Sequence, residues 1–253
     1  MKRKNKAKIL MVDIETAPMK VYTFQLHDVT IGIDQIIQDS YMLCWAAKWL
    51  GQREILFDNL PFYAETFKKN PTNEYLIAKS IWKLLDEADI VVAHNAKRFD
   101  IKWLNAVFLK YHMPPPSSFK IIDTLTESRK AFYQVSHRLN FLVQKYKIGA
   151  KRKHEGFSLW PKCMNGDLKA WANMIKYNKK DVAILEKFYL LLRPYMNTHP
   201  DLSLYKDRKI VECGICGSKR FKKRGFEYGT SFKYQRFICL DCGKNRKGKR
   251  VRI

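Results

Sequence analysis

The chain has 253 residues, room for one large domain or a domain with an appendage, and its 46% hydrophobic share is enough for a real core. Lys and Arg number 48 against 24 Asp and Glu, a net charge of +24. That excess is more than solubility needs, and it points to a polyanion, with nucleic acid favoured over a membrane surface.

The basic N-terminus leads into an apolar run at 9–12 that reads as a buried strand over 8–14. Asp13 and Glu15 interrupt this run too early for a signal peptide. No other stretch approaches the ~20 apolar residues that span a bilayer, so an intracellular protein is expected, cytoplasmic or nucleoid-associated and not secreted. Residues 41–50 and 53–60 read as two further strands across a turn at Gly51 and Gln52. An amphipathic helix is predicted over 73–87, a short buried strand over 90–93, and a helix from near Lys97 to about His112, ended by Pro114, Pro115 and Pro116. Residues 120–124 read as a strand, followed by helical segments to about Tyr146. The basic stretch 149–166 reads as a loop, and a long helix over 167–193 stops at Pro194. This order predicts an α/β fold, a mixed sheet flanked by helices.

Four carboxylates stand out in three of these segments. Asp13 and Glu15 are two apart on a strand and share a face. Asp100 lies near the start of a helix, where the dipole favours an anion. Tyr177 and Asp181 are four apart on one helix face. Carboxylates converging on one point repel unless a cation joins them, and hard oxygen ligands suit Mg2+ or Mn2+.

Residues 206–253 differ in composition, with 16 Lys and Arg against 4 Asp and Glu, a net of +12. Cys213, Cys216, Cys239 and Cys242 are spaced C-x2-C-x22-C-x2-C, which in a reducing compartment reads as a tetrahedral Zn2+ site rather than two disulfides. Glycine after each pair suits tight turns around thiolates. The expected division is a catalytic domain over 1–205 and a small basic zinc ribbon over 206–253 that binds nucleic acid. Phe221, Phe226, Tyr228, Phe232, Tyr234 and Phe237 are interleaved with the bases of this tail, and strand alternation is expected to turn about half of them inward.

The segments DIET, HNAKRFD and YNKKD resemble, in order, the three motifs of the DEDD, or DnaQ-like, 3′→5′ exonucleases, whose fold is ribonuclease H-like. The resemblance covers roughly 8–195. Y-x3-D matches the tyrosine subclass; the histidine of the other subclass would stand at Lys176. The motifs look most like the exonuclease domains of family B polymerases and their stand-alone relatives.

The resemblance implies two Mg2+ or Mn2+ ions held by Asp13, Glu15, Asp100 and Asp181, with Asp13 bridging both. One ion would activate a water and the other would stabilise the leaving 3′ oxygen. Tyr177 would orient that water. Thr16 and Ala17 would line the pocket for the terminal nucleotide, and Asn95 would help position substrate. DNA, single-stranded or 3′-ended, is the favoured substrate. RNA 3′-end trimming is the alternative, and a catalytically silent binding protein or an adaptor docking on a separate polymerase is a further one. His94 reads as a hydrogen-bonded packing residue rather than a ligand, Phe99 as a core residue, Asp123 as a helix cap, and Cys44 and Cys163 as inert packing. His154 and Glu155 read as solvent-exposed.

Overall fold

In the computed structural model the described residues are 6–149, 155–205 and 212–251. β1 (Ile9–Thr16) is the central strand, and a small antiparallel pair, β2 (Lys20–Val21) and β3 (Ile36–Gln38), follows it. β4 (Met42–Trp49) and β5 (Leu56–Asn59) form a hairpin, with Gly51 at φ 81° in its loop. α1 (Ala64–Lys69) and α2 (Tyr75–Glu87) lead to β6 (Ile90–Ala93), and α3 (Asp100–Lys110) leads to β7 (Lys120–Asp123). α4 (Thr124–Ala131), α5 (Leu139–Lys145), α6 (Leu159–Met164) and α7 (Leu168–Leu192) complete the main body. β8 (Phe221–Tyr228), β9 (Lys233–Cys239) and β10 (Asn245–Val251) form a separate sheet.

The main sheet has the order β5-β4-β1-β6-β7, with β1 antiparallel to β4 and parallel to β6. This is the mixed sheet flanked by helices that the order of elements predicts. Both faces of β1 are covered, which explains its unbroken apolar run. Leu10, Val12 and Ile14 pack with α2, α3 and α6. Ile9 and Met11 face the other way, against α5 and the second half of α7. Asp13 and Glu15 follow Ile9 and Met11 in alternation, so they share that second face.

α7 serves both layers. Ala170, Trp171, Met174 and Tyr177 belong to one cluster, and Val182, Leu185 and Phe188 to the other. The helix therefore passes from one core to the other between Tyr177 and Val182. The polar side chains Asn178 and Asp181 are buried at that crossing.

Three expectations need correction. The third helix begins at Asp100, not Lys97, because Asn95 sits at φ 77° and residues 95–99 form a turn, with the Phe99 N–H donating to the Asn95 carbonyl at 3.0 Å. The stretch 149–166 contains α6, whose Leu159 and Cys163, four apart, are both fully buried; Pro161 lies in its first turn, where proline is tolerated. Phe99 is 37% exposed and packs on Trp103 at the surface, with ring centroids 5.9 Å apart, so it is not a core residue. His154 and the expected boundary at 206 lie outside the described residues. Glu155 is exposed and pairs with Lys162.

Candidate active site

β1 supplies Asp13 and Glu15, the N-terminus of α3 supplies Asp100, and the crossing point of α7 supplies Tyr177 and Asp181. Hydrogen bonds tie the three elements together. The Ile14 N–H donates to Asp100 Oδ1 at 3.4 Å, which joins the start of α3 to β1 between its two carboxylates. Asn178 Nδ2 donates to Asp13 Oδ2 at 2.7 Å and to the Asp13 carbonyl at 3.2 Å, which joins α7 to β1. The Tyr177 hydroxyl bonds the Asp181 side chain.

The electrostatics reflect this crowding. Burial pushes the Asp100 carboxyl up to about 7; its own amide and that of Ile14 pull it down, and Asp123 adds a further push upward. Burial also raises the Tyr177 hydroxyl well above its ordinary value, and the charges of Asp181, Glu15 and Asp13 push the same way. A tyrosine so placed keeps its proton.

Two thiols border the site. Cys44 is in register with Glu15 across β1 and β4. Burial, then Glu15, raises Cys44 well above the usual thiol range. Cys163 is pushed up to about 12, by burial first, then Asp167 and Glu15. Both thiols are held toward their protonated form, which leaves the carboxylate oxygens as the ready donors. That set fits a hard divalent cation, whose charge would offset the mutual repulsion of the carboxylates. The carboxylate oxygens are more widely spread than a single tight cluster. Among the described residues only the four cysteines bring three or more possible ligand atoms within 4.8 Å of one another.

Thr16 ends β1 beside Glu15 and pairs with Met42, and the buried Ala17 donates its N–H to the Tyr41 carbonyl at 2.8 Å. Asn95 lies at the C-terminal end of β6, its N–H held by Asp123 Oδ1 at 3.1 Å. Asp123 also accepts from the Lys97, Leu125 and Thr126 amides, so it caps α4 and fixes the turn before α3 together. His94 bonds Thr124 Oγ1 at 2.9 Å and the His137 carbonyl at 3.0 Å, as a packing histidine should.

Sequence reasoning missed two features. Asn178 is one; the signal was present, since positions 174, 177, 178, 181, 182 and 185 form one buried helical stripe broken only by Tyr177, Asn178 and Asp181. The other is a cavity of about 630 Å³ reached from Asp13, walled by Arg129, His137 and Arg138 from α4 and the loop after it. No local pattern marks those three residues.

In the tail, Cys213 Sγ lies 3.7 Å from Cys242 Sγ, and Cys216 Sγ lies 3.6 Å from Cys239 Sγ. Gly217 and Gly243, both at φ 75°, turn the chain so that their amides reach back to the Cys213 and Cys239 carbonyls at 2.7 and 2.9 Å. Burial alone would raise the Cys239 thiol, but the Cys242 and Asp241 amides and the neighbouring thiols bring it down to about 7. Four converging sulfurs of this kind could hold a tetrahedral zinc. None of the six tail aromatics is fully buried, and of them only Phe221 packs against the small core of Cys213, Ile215 and Cys239, fewer than the expected half.

A sequence model of the RNase_H superfamily matches residues 49–193, from the end of β4 to just past α7. The chain belongs to the RNase H superfamily. The match includes Asp100, Tyr177 and Asp181, while Asp13 and Glu15 lie before it. The chain is also 25% identical over 147 residues to a PolC-type DNA polymerase III of Ureaplasma parvum serovar 3, which covers 54% of this chain and 10% of that protein. The family B DNA polymerase of the hyperthermophilic archaeon Pyrobaculum calidifontis shares the fold, with a TM-score of 0.53 at 12% identity over 75% of this chain and 25% of that one. The chain thus spans a small part of the length of each of these relatives. Membership of the superfamily supports a nuclease-type function. Among the described residues no helix is long and apolar enough to cross a membrane.

Proposed function

We propose that the chain is a metal-dependent 3′→5′ exonuclease of the tyrosine-type DEDD group, acting on nucleic acid with DNA favoured. The observation that supports this reading is that hydrogen bonds join β1 with Asp13 and Glu15, the start of α3 with Asp100, and the part of α7 with Tyr177 and Asp181 where it crosses between the two cores. Asp13, Glu15, Asp100 and Asp181 would hold Mg2+ or Mn2+. Bound there, such ions would supply a nucleophilic water near neutral pH and neutralise charge on the departing oxygen.

The chain's own residues do the rest. Tyr177, protonated and bonded to Asp181, orients the attacking water and does not act as a base. Asn178 fixes the Asp13 carboxylate. Arg129 and Arg138, which line the same cavity as Asp13, give the phosphate backbone a cationic wall. Thr16 and Asn95 line the pocket for the 3′-terminal nucleotide, while Ala17, expected to join them, is buried in the core. The four cysteines hold one structural Zn2+, separate from the catalytic ions, in a basic ribbon following the main domain.

The test uses 3′- and 5′-labelled single strands with Mg2+ or Mn2+. Mononucleotides released in order from the 3′ end are expected, faster on DNA than on RNA. Internal cleavage of a circular single strand would replace this reading with an endonuclease, and faster turnover of RNA would make the chain an exoribonuclease.

A further inference from the structure

The sheet of β8, β9 and β10 carries cations on both faces but places most of its rings on one. The register pairs Phe221 with Cys239, Lys223 with Phe237, and Phe226 with Gln235 on β8 and β9, and Arg246 with Phe237 on β10 and β9. Tyr228 pairs with Lys233, and a bulge between Lys223 and Phe226 shifts the phase of β8, so alternation along β9 puts Phe221, Phe226, Tyr228 and Phe237 on one face. Phe237 is flanked in register by Lys223 on one neighbouring strand and Arg246 on the other. Lys233 lies over the Phe226 ring on this face, 5.1 Å from its centroid. On the opposite face Lys247 pairs with Glu227 at 2.6 Å and lies over Tyr234.

The ring face is open. Tyr228 is 74% exposed and Phe226 36%. A cavity of about 710 Å³ opens over Phe237, lined by Phe221, Lys223, Gln235, Arg246 and Gly248. Gly248 makes room there: a Cβ on it would come within 2.5 Å of Phe237 Cε2. Arg246 donates to the Glu212 carbonyl at 2.9 Å, which steadies its head beside the groove.

We propose that this face is a binding groove for single-stranded nucleic acid, with bases stacking on Phe237, Phe226 and Tyr228 and phosphates meeting Lys223, Lys233 and Arg246. Charge complementarity selects the occupant: residues 212–251 carry twelve Lys and Arg against three Asp and Glu. The rings select its form, because a duplex hides its base faces and a single strand offers them. The proposal rests on the reading above only for its ligand class. The groove and the carboxylate site can therefore fail separately, and binding is measured without hydrolysis.

The experiment measures fluorescence anisotropy of a labelled oligothymidylate with the full, zinc-loaded chain, Mg2+ and Mn2+ omitted. Lys223→Glu with Arg246→Glu reverses two charges on the ring face, and Lys222→Glu with Arg236→Glu makes the same net change on the other face. The first pair should weaken binding by ~10-fold and the second by no more than ~2-fold, while Tyr228→Ala costs about 3-fold or more. Zinc content should stay at one per chain throughout. Tyr228 is the most exposed of the rings, so its variant keeps the test decisive if the charge reversals disturb the sheet. Equal losses from the two pairs, no loss from Tyr228→Ala, or a duplex bound as tightly as the single strand would overturn the groove.

Discussion

Asn178 joins α7 to β1 by one side chain that grips both the carboxylate and the carbonyl of Asp13. Partners that orient a metal-binding carboxylate commonly matter about 10–100-fold in metal affinity. Asn178→Ala should therefore weaken Mn2+ binding by about that factor, as read by titration calorimetry; unchanged affinity would make Asn178 a packing residue only. Tyr177→Phe is expected to slow single turnover by ~10-fold or more with metal affinity unchanged, because it loses a hydroxyl and no ligand. Asp13→Ala should nearly abolish hydrolysis while the protein stays folded.

The raised Asp100 carboxyl adds a pH effect. Its folded value, about 7, lies above the ordinary carboxyl value of ~3.9, so its contribution to stability is complete below ~4 and is lost as pH rises through about 7. Without Mg2+ or Mn2+, the melting temperature of the wild-type chain should fall between pH 5 and 8 relative to Asp100→Asn, and added Mg2+ should restore it in the wild type alone. Parallel curves for the two proteins would mean that burial does not strain this carboxylate.

At the scale of elements, Asp123 matters more than its position as a cap suggests. One carboxylate accepts amides from the start of α4 and from the turn that sets Asp100. Asp123→Ala should cost more than the ~1 kcal/mol typical of a missing cap, and it should lower activity as well, since α3 would start elsewhere. A stability loss with normal turnover would separate the two roles.

The principal strands, the long helix and the motif positions were legible because burial on both faces leaves continuous apolar runs, and because carboxylates amid such runs are conspicuous. What was not legible depends on tertiary packing. α6 lies in a basic stretch and is held by Leu159 and Cys163 reaching the core. Phe99 was misplaced because an aromatic beside a buried Asp gives no sign of which side of the turn it takes. The β2–β3 pair, between the first motif and β4, carries no period at all.

For the whole molecule, the main sheet and the sheet of β8, β9 and β10 have separate cores. The cysteine cluster with Ile215 is distinct from the clusters around β1. Among the described residues, hydrogen bonds between the tail and the main body include Leu202 N–H to the Gly214 carbonyl at 2.6 Å and Lys244 Nζ to the Met196 carbonyl at 2.9 Å. Removing residues 206–253 should weaken nucleic-acid binding and flatten its salt dependence, by about 0.7 in the slope of log K against log salt for each phosphate that the tail neutralises. The carboxylate chemistry should persist at high substrate. Identical slopes for the full and shortened chains would mean that the tail does not touch nucleic acid.

The bond from the Ala17 amide to the Tyr41 carbonyl closes a loop on itself. Thr16 and Met42 are cross-strand neighbours, so β1 and β4 are the two arms of one hairpin, and residues 18–40 are its decorated tip. That tip turns Phe24, Leu26 and Ile33 almost wholly to solvent. Loop length costs little once the ends meet, so the hairpin should close equally well around a two-residue Asn-Gly turn. A chain shortened in this way should keep its melting temperature and gain solubility, turning the segment beside the first two carboxylates into a cassette that can be exchanged without rebuilding the sheet.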